Sequence, residues 1–422
     1  MKYKVEALEK PYAGLNSSIF FAFMKYDVII AGAGIVGVST AYQLLRRSPD
    51  LRIVLLEKEV EPAMHQTGHN SGVIHSGIYY KPGSYKAWNC IQGYHMLLEY
   101  CKQHKIPYNL IGKLIVATKS HEIPKLDQIY NNGIQNGLQK LQLLNQEQVT
   151  EIEDRVSCLK AVLIPQSGIV DYKQVVKSLA VEISKFGSQI DTNKKIINVF
   201  PKNNELIVRC ADKSEYVSDF FINCAGLQSD RIAKMCGIKL NFKIVPFKGN
   251  YFKLNDAKKN IVERLIYPVP DPQFPFLGIH YTRMMNGDQT LGPNAVLAFD
   301  REAYLNNGFN FKDSMDIINF PGFWKMLAKH WKTGISEYRR NYSKTYFAAK
   351  ASEMTPGIDS NDLEPAGSGI RAQIIDDHGI LVEDFVRIRT QNMIHVCNAP
   401  SPAATAGLSI GNQIADWYFE KD

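Results

Sequence analysis

Three glycines near the start of the chain have the spacing of a dinucleotide-binding turn. Gly32, Gly34 and Gly37 follow an apolar run, 26–31, and precede a predicted helix, 38–47. The first glycine permits a tight turn, the second lets a diphosphate approach the backbone, and the third lets the helix pack close to the strand. The amides at the start of the helix then hold the diphosphate. The predicted contacts in this turn are Gly32, Gly34, Ile35, Val36 and Gly37.

An acidic residue follows where ribose recognition requires one. A second buried strand is predicted over 51–56, and Glu57 closes it, about 20 residues after Gly37. A carboxylate at this place accepts hydrogen bonds from an adenosine ribose and disfavours a 2′-phosphate. Because strand, glycine turn, helix, second strand and acid occur in order, the sequence predicts a Rossmann-like βαβ unit.

Three further segments favour FAD over NAD as the bound dinucleotide. The polar, glycine-rich loop 65–72 suits a ribityl chain and a diphosphate, and 219–226 is a predicted strand that ends in small residues. The segment 393–400 has the same character, and a helix predicted over about 402–419 would point its partly positive start at a reduced flavin. Three segments that are distant in sequence and meet at one site suit a long, two-part cofactor. The further predicted FAD contacts are Glu57, Lys58, Thr67, Gly68, Asn70, Ser71, Gly72, Ala225, Gly226, Arg371, Pro402, Ala404 and Thr405.

Composition and charge exclude several other classes of protein. With 422 residues, 45% of them hydrophobic, the chain can bury a sizeable core. Its net charge of +7 comes from scattered basic residues, which favours an anionic substrate but does not predict nucleic-acid binding. Seven cysteines without a C-x-x-C pair indicate a reducing compartment, and no histidine spacing predicts a metal site. No apolar run is long enough to span a bilayer.

Four motifs resemble the L-2-hydroxyglutarate dehydrogenase/oxidase family, within the D-amino-acid-oxidase-like superfamily of FAD-dependent oxidoreductases. They are the glycine fingerprint and the segments 70–80, 369–373 and 398–405, with 280–285 and 291–296 in support. The resemblance runs from about residue 24 to the C-terminus. The chain departs from the family at Lys248, where arginine is usual, and at Asn250, where an acid is usual. These departures leave the exact hydroxy acid open.

The predicted fold class is α/β, with a discontinuous Rossmann-like FAD-binding domain and a second α+β substrate domain built on a mostly antiparallel sheet. Short strand-like runs that alternate with turn residues over 243–299 favour the second sheet. The predicted FAD-binding parts are 24–100, 151–239 and 363–422, the predicted substrate parts are 101–150 and 240–362, and 1–23 is an N-terminal extension.

The resemblance implies oxidation of L-2-hydroxyglutarate to 2-oxoglutarate, with hydride moving from C2 to flavin N5 while the hydroxyl loses its proton. By the same resemblance Arg371 clamps the α-carboxylate, and the alternative from the residues alone is a surface salt bridge. Imidazole is suited to accept the hydroxyl proton, so His75 and His280 are both candidates for the base, with a structural role as the alternative for each. The alternative functions are an amino-acid or amine oxidase of the same superfamily and a non-catalytic flavin-binding protein.

A dicarboxylate substrate needs a second cation besides Arg371. Lys248 and Arg283 are the candidates to meet its distal carboxylate, and Tyr79 and Tyr251 are predicted to line the pocket. No metal is expected to take part.

The electron acceptor is left open between a quinone-linked acceptor and O2. Trp324, Trp331 and Tyr338 recur at helical spacing among basic residues, a pattern typical of a helix that lies on an anionic membrane. The alternative, which the sequence favours, is a helix packed on its own domain with its lysines in water. We expect a cytoplasmic protein and leave open its peripheral attachment to the inner membrane.

Overall fold

The computed structural model describes residues 25–270, 278–304, 308–340, 343–382, 384–399 and 401–420. Side chains are not described at 332, 333 and 335–340. The predicted N-terminal extension, 1–23, therefore lies outside the described residues.

Strands and helices alternate through most of the described chain. The strands are β1 (Lys25–Ala31), β2 (Ile53–Leu56), β3 (Val73–Ile74), β4 (Tyr108–Asn109), β5 (Lys113–Ala117), β6 (Gln142–Asn145), β7 (Lys160–Ile164), β8 (Gly168–Val170), β9 (Gln189–Asp191), β10 (Ile196–Lys202), β11 (Glu205–Cys210), β12 (Glu215–Asn223), β13 (Phe242–Leu254), β14 (Leu265–Pro268), β15 (His280–Arg283), β16 (Gln289–Gly292), β17 (Val296–Leu297), β18 (Leu363–Asp376), β19 (Leu381–Val382), β20 (Val386–Arg389) and β21 (Met393–Asn398). The α-helices are α1 (Ile35–Arg47), α2 (Tyr85–Gln103), α3 (Ile123–Gln135), α4 (Gln146–Ile152), α5 (Tyr172–Ser184), α6 (Ser229–Met235), α7 (Phe311–Ile318), α8 (Pro321–Arg340), α9 (Lys344–Ser352) and α10 (Gly407–Phe419).

The first sheet carries the nucleotide-binding topology. Its strands run in the order β10-β11-β12-β1-β2-β9, with β21 beside β12 and β20 beside β21. β1 is parallel to β2 and to β12, β2 is parallel to β9, and β12 is parallel to β21. Every residue of β2 is buried, as a parallel sheet covered on both faces requires. The parallel strands come from three separate parts of the sequence, which confirms the predicted α/β fold with a discontinuous Rossmann-like domain.

Helix α10 packs directly against α1. A Cβ atom at Gly411 would lie 2.5 Å from the carbonyl carbon of Ser39, so the two backbones are in contact. Both helices differ in length from the prediction, since α1 begins earlier than residue 38 and α10 begins later than residue 402. Residues 401–406 form turns instead of helix. This brings the start of α10 beside the start of α1.

The second sheet is mostly antiparallel, which confirms the prediction. Its strands run in the order β19-β18-β13-β16-β15-β14-β5-β7-β6, with β17 beside β13. Among the described strands, only the pairing of β14 with β5 is parallel in this sheet. The longest pairing, β13 with β18, runs from Phe242 opposite Asp376 to Leu254 opposite Leu363. Strand β18 also contacts β21, so this ribbon links the second sheet to the first.

Two strands lie on the other side of the predicted domain boundaries. β7 and β18 belong to the second sheet, whereas the sequence predicts that 151–239 and 363–422 belong to the FAD-binding domain. The reason is long-range pairing, because β7 pairs with β5 and β18 pairs with β13. Sequence periodicity carries no signal for such partners. The remaining boundaries stay a prediction.

The predicted basic helix corresponds to α8. Phe323 and Met326 pack it onto the second sheet beside Ile375, while Trp324 and Trp331 are 53% and 49% exposed. One face of the helix is thus packed on its own domain and the other is open. Within the described residues, no helix combines the length and the apolar character that crossing a bilayer requires.

Candidate active site

A deep cavity lies where the carboxyl ends of the parallel strands meet the β13–β18 ribbon. Its volume is about 770 Å³. The turn after β1, the loop after β2 and the ends of β12 and β21 form its walls. The predicted site residues that line it are Gly32, Gly34, Ile35, Val36, Glu57, Lys58, Thr67, Asn70, Ser71, His75, Ala225, Gly226, Tyr251, Arg371, Pro402 and Ala404. The cavity therefore brings together residues from the predicted cofactor and substrate sites.

The glycine turn has the geometry that its sequence predicts. Gly32 has a φ of +93°, and a Cβ atom there would lie 2.8 Å from the carbonyl oxygen of Cys224. A Cβ at Gly37 would lie 2.0 Å from the carbonyl oxygen of Gly32, so any larger residue would push α1 away from β1. The first turn of α1 contains no acidic residue. The start of the helix is thus left available to an anion.

The carboxylate of Glu57 is held at the cavity wall in a fixed orientation. Its Oε2 accepts a hydrogen bond from the backbone N–H of Ala33 at 2.9 Å, and its Oε1 accepts one from Glu59 at 3.0 Å. The side chain is only 7% exposed. A fixed acid, a glycine turn and a helix start on one cavity fit the adenosine diphosphate part of FAD.

The loop after β2 is ordered by Asn70. The Asn70 Nδ2 group donates to the backbone oxygens of Gln66 at 3.2 Å and Thr67 at 2.6 Å, and its Oδ1 accepts from Gly72 N–H at 2.7 Å. Thr67 in turn accepts a hydrogen bond from the N–H of Ile35 at 3.0 Å. These bonds tie the loop to the start of α1, so both walls of the cavity are positioned together.

Four predicted cofactor residues do not line the cavity but shape its walls. Gly68 lies against the backbone of Ala63, where a Cβ would come within 2.3 Å, and Gly72 has a φ of +66°. The hydroxyl of Thr405 bonds to Tyr172 at 2.8 Å. The four residues are Gly37, Gly68, Gly72 and Thr405.

His75 faces the cavity just after β3. No hydrogen bond involves its imidazole ring among the described residues, while its backbone N–H donates to Thr405 Oγ1. Burial, and then the positive charge of Lys113, hold the pKa of His75 well below its usual value. Protein atoms surround the ring although part of it stays open to the cavity. The imidazole is therefore neutral near pH 7 and can accept a proton.

Arg371 enters the cavity from β18. It lies opposite Phe247 in the register with β13, and Tyr251 lines the same cavity. Nearby Gly369 allows β18 to pass the loop after β2, since a Cβ there would lie 2.6 Å from the carbonyl oxygen of His69. Burial lowers the pKa of Arg371, which remains a cation. The β13–β18 ribbon thus places the guanidinium of Arg371 at the cavity that His75 also lines.

His280 lies outside the cavity surface. Its ring stacks on Tyr267 with centroids 3.8 Å apart, and its Nδ1–H donates to the carbonyl oxygen of Gly278 at 2.8 Å. Burial lowers the pKa of His280 to about 3. Tyr79 also lies outside the cavity surface, and its hydroxyl is buried without a hydrogen-bond partner among the described residues.

The two predicted cations for a distal carboxylate do not reach the cavity surface. The Lys248 ammonium donates to the carbonyl oxygen of Ala303 at 2.8 Å, with the side chain buried. Arg283 ends β15, opposite Gln289, and does not line the cavity. Their roles in substrate binding stay predictions.

Sequence reasoning missed Lys113. This lysine is 1% exposed at the start of β5, and its ammonium lies 4.0 Å from the centroid of the Tyr267 ring. The available signal was a lysine at the head of a fully buried strand. Burying an amine without a counter-ion is costly, so such a residue is a candidate for a functional role.

One group of acids and a histidine borders the cavity. Among the described residues, Glu59, His65 and Glu302 bring ligand atoms within 4.8 Å of one another. The ammonium of Lys58 bonds to both carboxylates, at 3.0 Å in the case of Glu302. Because a lysine already balances these acids, the group gives no support to a metal site.

Comparisons with known proteins identify the family and the fold of the chain. The profile of the family described as FAD dependent oxidoreductase matches residues 27–417. An L-alpha-glycerophosphate oxidase from Mycoplasma pneumoniae, solved with FAD bound, has a TM-score of 0.76 at 23% identity over 94% of this chain and 96% of its own. A glycine oxidase from Geobacillus kaustophilus has a TM-score of 0.70 at 15% identity over 94% and 95%. The fold and the site define a FAD-dependent oxidoreductase, and FAD is its cofactor.

Curated relatives show to which family of FAD-dependent oxidoreductases the chain belongs. The L-2-hydroxyglutarate dehydrogenase of Indibacter alkaliphilus is 45% identical over 94% of this chain and 100% of its own. The proteins of that name from Escherichia coli K12 and from Bos taurus mitochondria are 41% and 42% identical, over 92% and 93% of this chain and 92% and 88% of their own. The chain belongs to the L-2-hydroxyglutarate dehydrogenase family. The predicted family is therefore confirmed.

Proposed function

We propose that the protein catalyses the FAD-dependent oxidation of L-2-hydroxyglutarate to 2-oxoglutarate. The observation that carries the proposal is the placement of Arg371 and His75 on the cavity that also bears the glycine turn. A guanidinium is suited to an α-carboxylate, and a neutral imidazole is suited to take a hydroxyl proton. The curated relatives are named for L-2-hydroxyglutarate. This acid carries an α-carboxylate and a 2-hydroxyl, the two groups that Arg371 and His75 would bind.

Bound FAD supplies the two-electron acceptor that takes the hydride from C2. Gly32, Glu57 and the loop around Asn70 are the residues proposed to hold it. Arg371 anchors the α-carboxylate through two parallel N–H donors, with Tyr251 beside it, which fixes the orientation of C2. The cavity walls limit the positions that the substrate can take, and so favour one face of C2.

His75 is the proposed base, in preference to His280. The C2 hydroxyl loses its proton to a ring nitrogen of His75 as the carbonyl forms. His75 lines the cavity, whereas the Nδ1 of His280 is committed to Gly278. The low pKa of His75 lets it return the proton to solvent after each turnover.

Anaerobic reduction of the purified holoenzyme tests the proposal. L-2-hydroxyglutarate should bleach the flavin absorbance, while D-2-hydroxyglutarate and L-glutamate should not. Bleaching by L-glutamate alone would favour the amino-acid oxidase alternative. A flavin that none of these acids reduces would favour the non-catalytic alternative and overturn the proposal.

We also propose a quinone-linked acceptor reached from a membrane surface, with O2 as the alternative. The support is a set of exposed apolar side chains on α7, on α8 and two residues before α7, namely Phe309, Phe311, Met315, Ile318, Trp324 and Trp331. The two helices are in contact, since Trp324 Nε1–H donates to the carbonyl oxygen of Ile318. Phe311 is 71% exposed. Lys325 and Lys329, both exposed on α8, supply positive charge toward anionic lipid.

Sedimentation with vesicles tests the membrane proposal. The holoenzyme should bind vesicles that contain phosphatidylglycerol, and a Phe311→Ser/Trp324→Ser variant should bind them at least 10-fold more weakly while keeping its flavin. A matched control, Val181→Ser, changes an exposed apolar residue on α5 and should not affect binding. Equal binding by the two variants would contradict the role of this surface. Rapid reoxidation by O2 with no response to a soluble quinone would favour the oxidase alternative.

A further inference from the structure

A buried lysine lies near the proposed substrate site, and none of the residues that the structure describes is its counter-ion. Lys113 is 1% exposed, and its ammonium lies 4.0 Å from the ring centroid of Tyr267 and 5.4 Å from that of Tyr79. Within the described residues this ammonium makes no hydrogen bond or ion pair, and it faces the two aromatic rings. The two aromatic faces stabilise the charge in part, but neither one neutralises it.

The groups around Lys113 are uncharged. Burial raises the pKa of Tyr79, of Tyr267 and of Cys90, the last to about 12. Burial also lowers the pKa of Lys113 to about 7, which reflects the cost of keeping the cation there. The hydroxyl of Tyr79 is buried without a partner among the described residues. The Lys113 ammonium faces the ring of Tyr79, and the hydroxyl of the same tyrosine lacks a partner among the described residues. A polar ligand would satisfy both groups, and unsatisfied buried groups are rare in folded proteins.

The cluster adjoins the cavity through its neighbours. The charges of Lys113 and of Arg371 both act on His75, which lines the cavity. Tyr267, the ring under the Lys113 ammonium, lies close enough to Tyr251 and Arg371 for their charges to affect its pKa. Lys113 and Tyr79 do not line the cavity surface but lie in the layer behind it. Tyr267 stacks on His280, and His280 pairs with Gly292, which packs against Tyr251 at the cavity wall.

The other nearby cations are less suited to a buried anion. Lys248 is held by the carbonyl oxygen of Ala303. Lys86 lines the cavity, but it is partly exposed and lies 5.2 Å from the ring centroid of Tyr80. Water screens a charge at that place more than it screens the charge of Lys113.

We propose that Lys113, together with the hydroxyl of Tyr79, forms the subsite for the distal carboxylate of the substrate. The inference rests on the proposed function, since it assumes that Arg371 anchors the α-carboxylate. Arg371 and Lys113 then bind the two carboxylates of a dicarboxylate substrate, one at each end. Monocarboxylic hydroxy acids would leave the ammonium buried and unpaired, so the subsite selects against them.

Binding of unreactive acids tests the subsite without turnover. The oxidised holoenzyme is titrated with glutarate and with butyrate, which differ by the distal carboxylate, and the flavin absorbance or the heat of binding is followed. Lys113→Met should weaken glutarate binding about 100-fold and leave butyrate binding within about 3-fold. Lys160→Met is the matched control, because Lys160, on β7, pairs with Asp127 and does not line the cavity, and it should keep the preference for glutarate. The flavin content of each variant shows whether it has folded.

Turnover separates the inference from the proposed function. The wild-type enzyme should prefer L-2-hydroxyglutarate to its distal amide by about 100-fold in kcat/KM, mainly through KM, and Lys113→Met should lose most of that preference. If Lys113→Met keeps the wild-type preference in both assays, the subsite is overturned while the proposed function stands. If the wild type binds glutarate in a Lys113-dependent manner but oxidises no hydroxy acid, the proposed function fails and the subsite stands.

Discussion

The backbone N–H of His75 donates a hydrogen bond to the hydroxyl of Thr405, 330 residues further along the chain, at 3.1 Å. The same hydroxyl lies 2.8 Å from that of Tyr172 and 3.3 Å from the carbonyl oxygen of Val73. One threonine of the C-terminal segment thus fixes the end of β3 and the proposed base that follows it. Thr405 acts through His75 and is a positioning residue.

Removing this hydroxyl should lower the rate more than it lowers substrate binding. We expect Thr405→Val to reduce kcat about 10-fold or more with little change in KM, because the base loses its alignment while Arg371 still holds the substrate. Stopped-flow measurement of flavin reduction checks this. Thr405→Ser retains the hydroxyl and should recover most of the rate. A Thr405→Ser variant as slow as Thr405→Val would show that the methyl group matters instead.

Replacing the guanidinium should weaken substrate binding. Arg371→Lys keeps a positive charge but loses the two-pronged donor, so we expect KM for L-2-hydroxyglutarate to rise about 100-fold. Steady-state kinetics at saturating acceptor measure this. Arg283→Lys changes an arginine that does not line the cavity and is the control. A larger rise in KM for Arg283→Lys than for Arg371→Lys would assign the binding of the α-carboxylate to Arg283 instead of Arg371.

Gly37 should tolerate no side chain. A Cβ there would lie 2.0 Å from the carbonyl oxygen of Gly32, so Gly37→Ala must separate α1 from β1 and distort the diphosphate turn. We expect the purified variant to contain less than about a tenth of the wild-type flavin. Gly334→Ala in α8 meets no atom within 4 Å and should retain full flavin content. The absorbance ratio at 450 and 280 nm measures both.

The activity should decline on the alkaline side of neutrality. Lys113 must carry a proton to bind a carboxylate, and its pKa in the free enzyme is about 7. The value of kcat/KM for L-2-hydroxyglutarate should therefore fall as pH rises above about 7, by up to tenfold per pH unit.

The groups that face Lys113 are Tyr79, Tyr267, Cys90, His75 and His280. The two histidines have lowered pKa values and the other three have raised ones, so none of them titrates in this window. The amide analogue should not show the decline, and an identical profile for both substrates would assign it to another group.

Lys113→Met should stabilise the protein without substrate, and more so at low pH. The pKa of Lys113 is lower in the folded protein than in the unfolded chain, so the unfolded chain binds the extra proton between about pH 7 and 10.5. The stability of the wild type therefore rises with pH in that window, and the cost of the buried charge is fully present below pH 7. Thermal unfolding at pH 6 and pH 9 should show a larger gain for Lys113→Met at pH 6. A gain that is larger at pH 9 would contradict the assigned pKa shift.

The sequence by itself determined the parts of the protein that are built from local pattern. The run from β1 through Gly37 to Glu57 is contiguous, and each of its residues has a role set by its immediate neighbours. The same holds for the polar loop around Asn70. Motifs of this kind are visible because the turn, the helix start and the strand end are formed by nearby residues.

The tertiary structure decided which distant residues share the cavity. Arg371 reaches it because β18 pairs with β13 over their whole length, a partner that no local pattern specifies. Lys113 lies on Tyr267 because β5 and β14 run parallel in adjacent positions. In the β13–β18 register Lys248 lies opposite Ile370, one residue from Arg371, so the two side chains point to opposite faces of the ribbon. His280 on β15 stacks on Tyr267 beneath the cavity surface. Strand pairing between distant segments depends on the packing of the whole core, so the choice among several lysines and histidines could be made only after the chain had been folded.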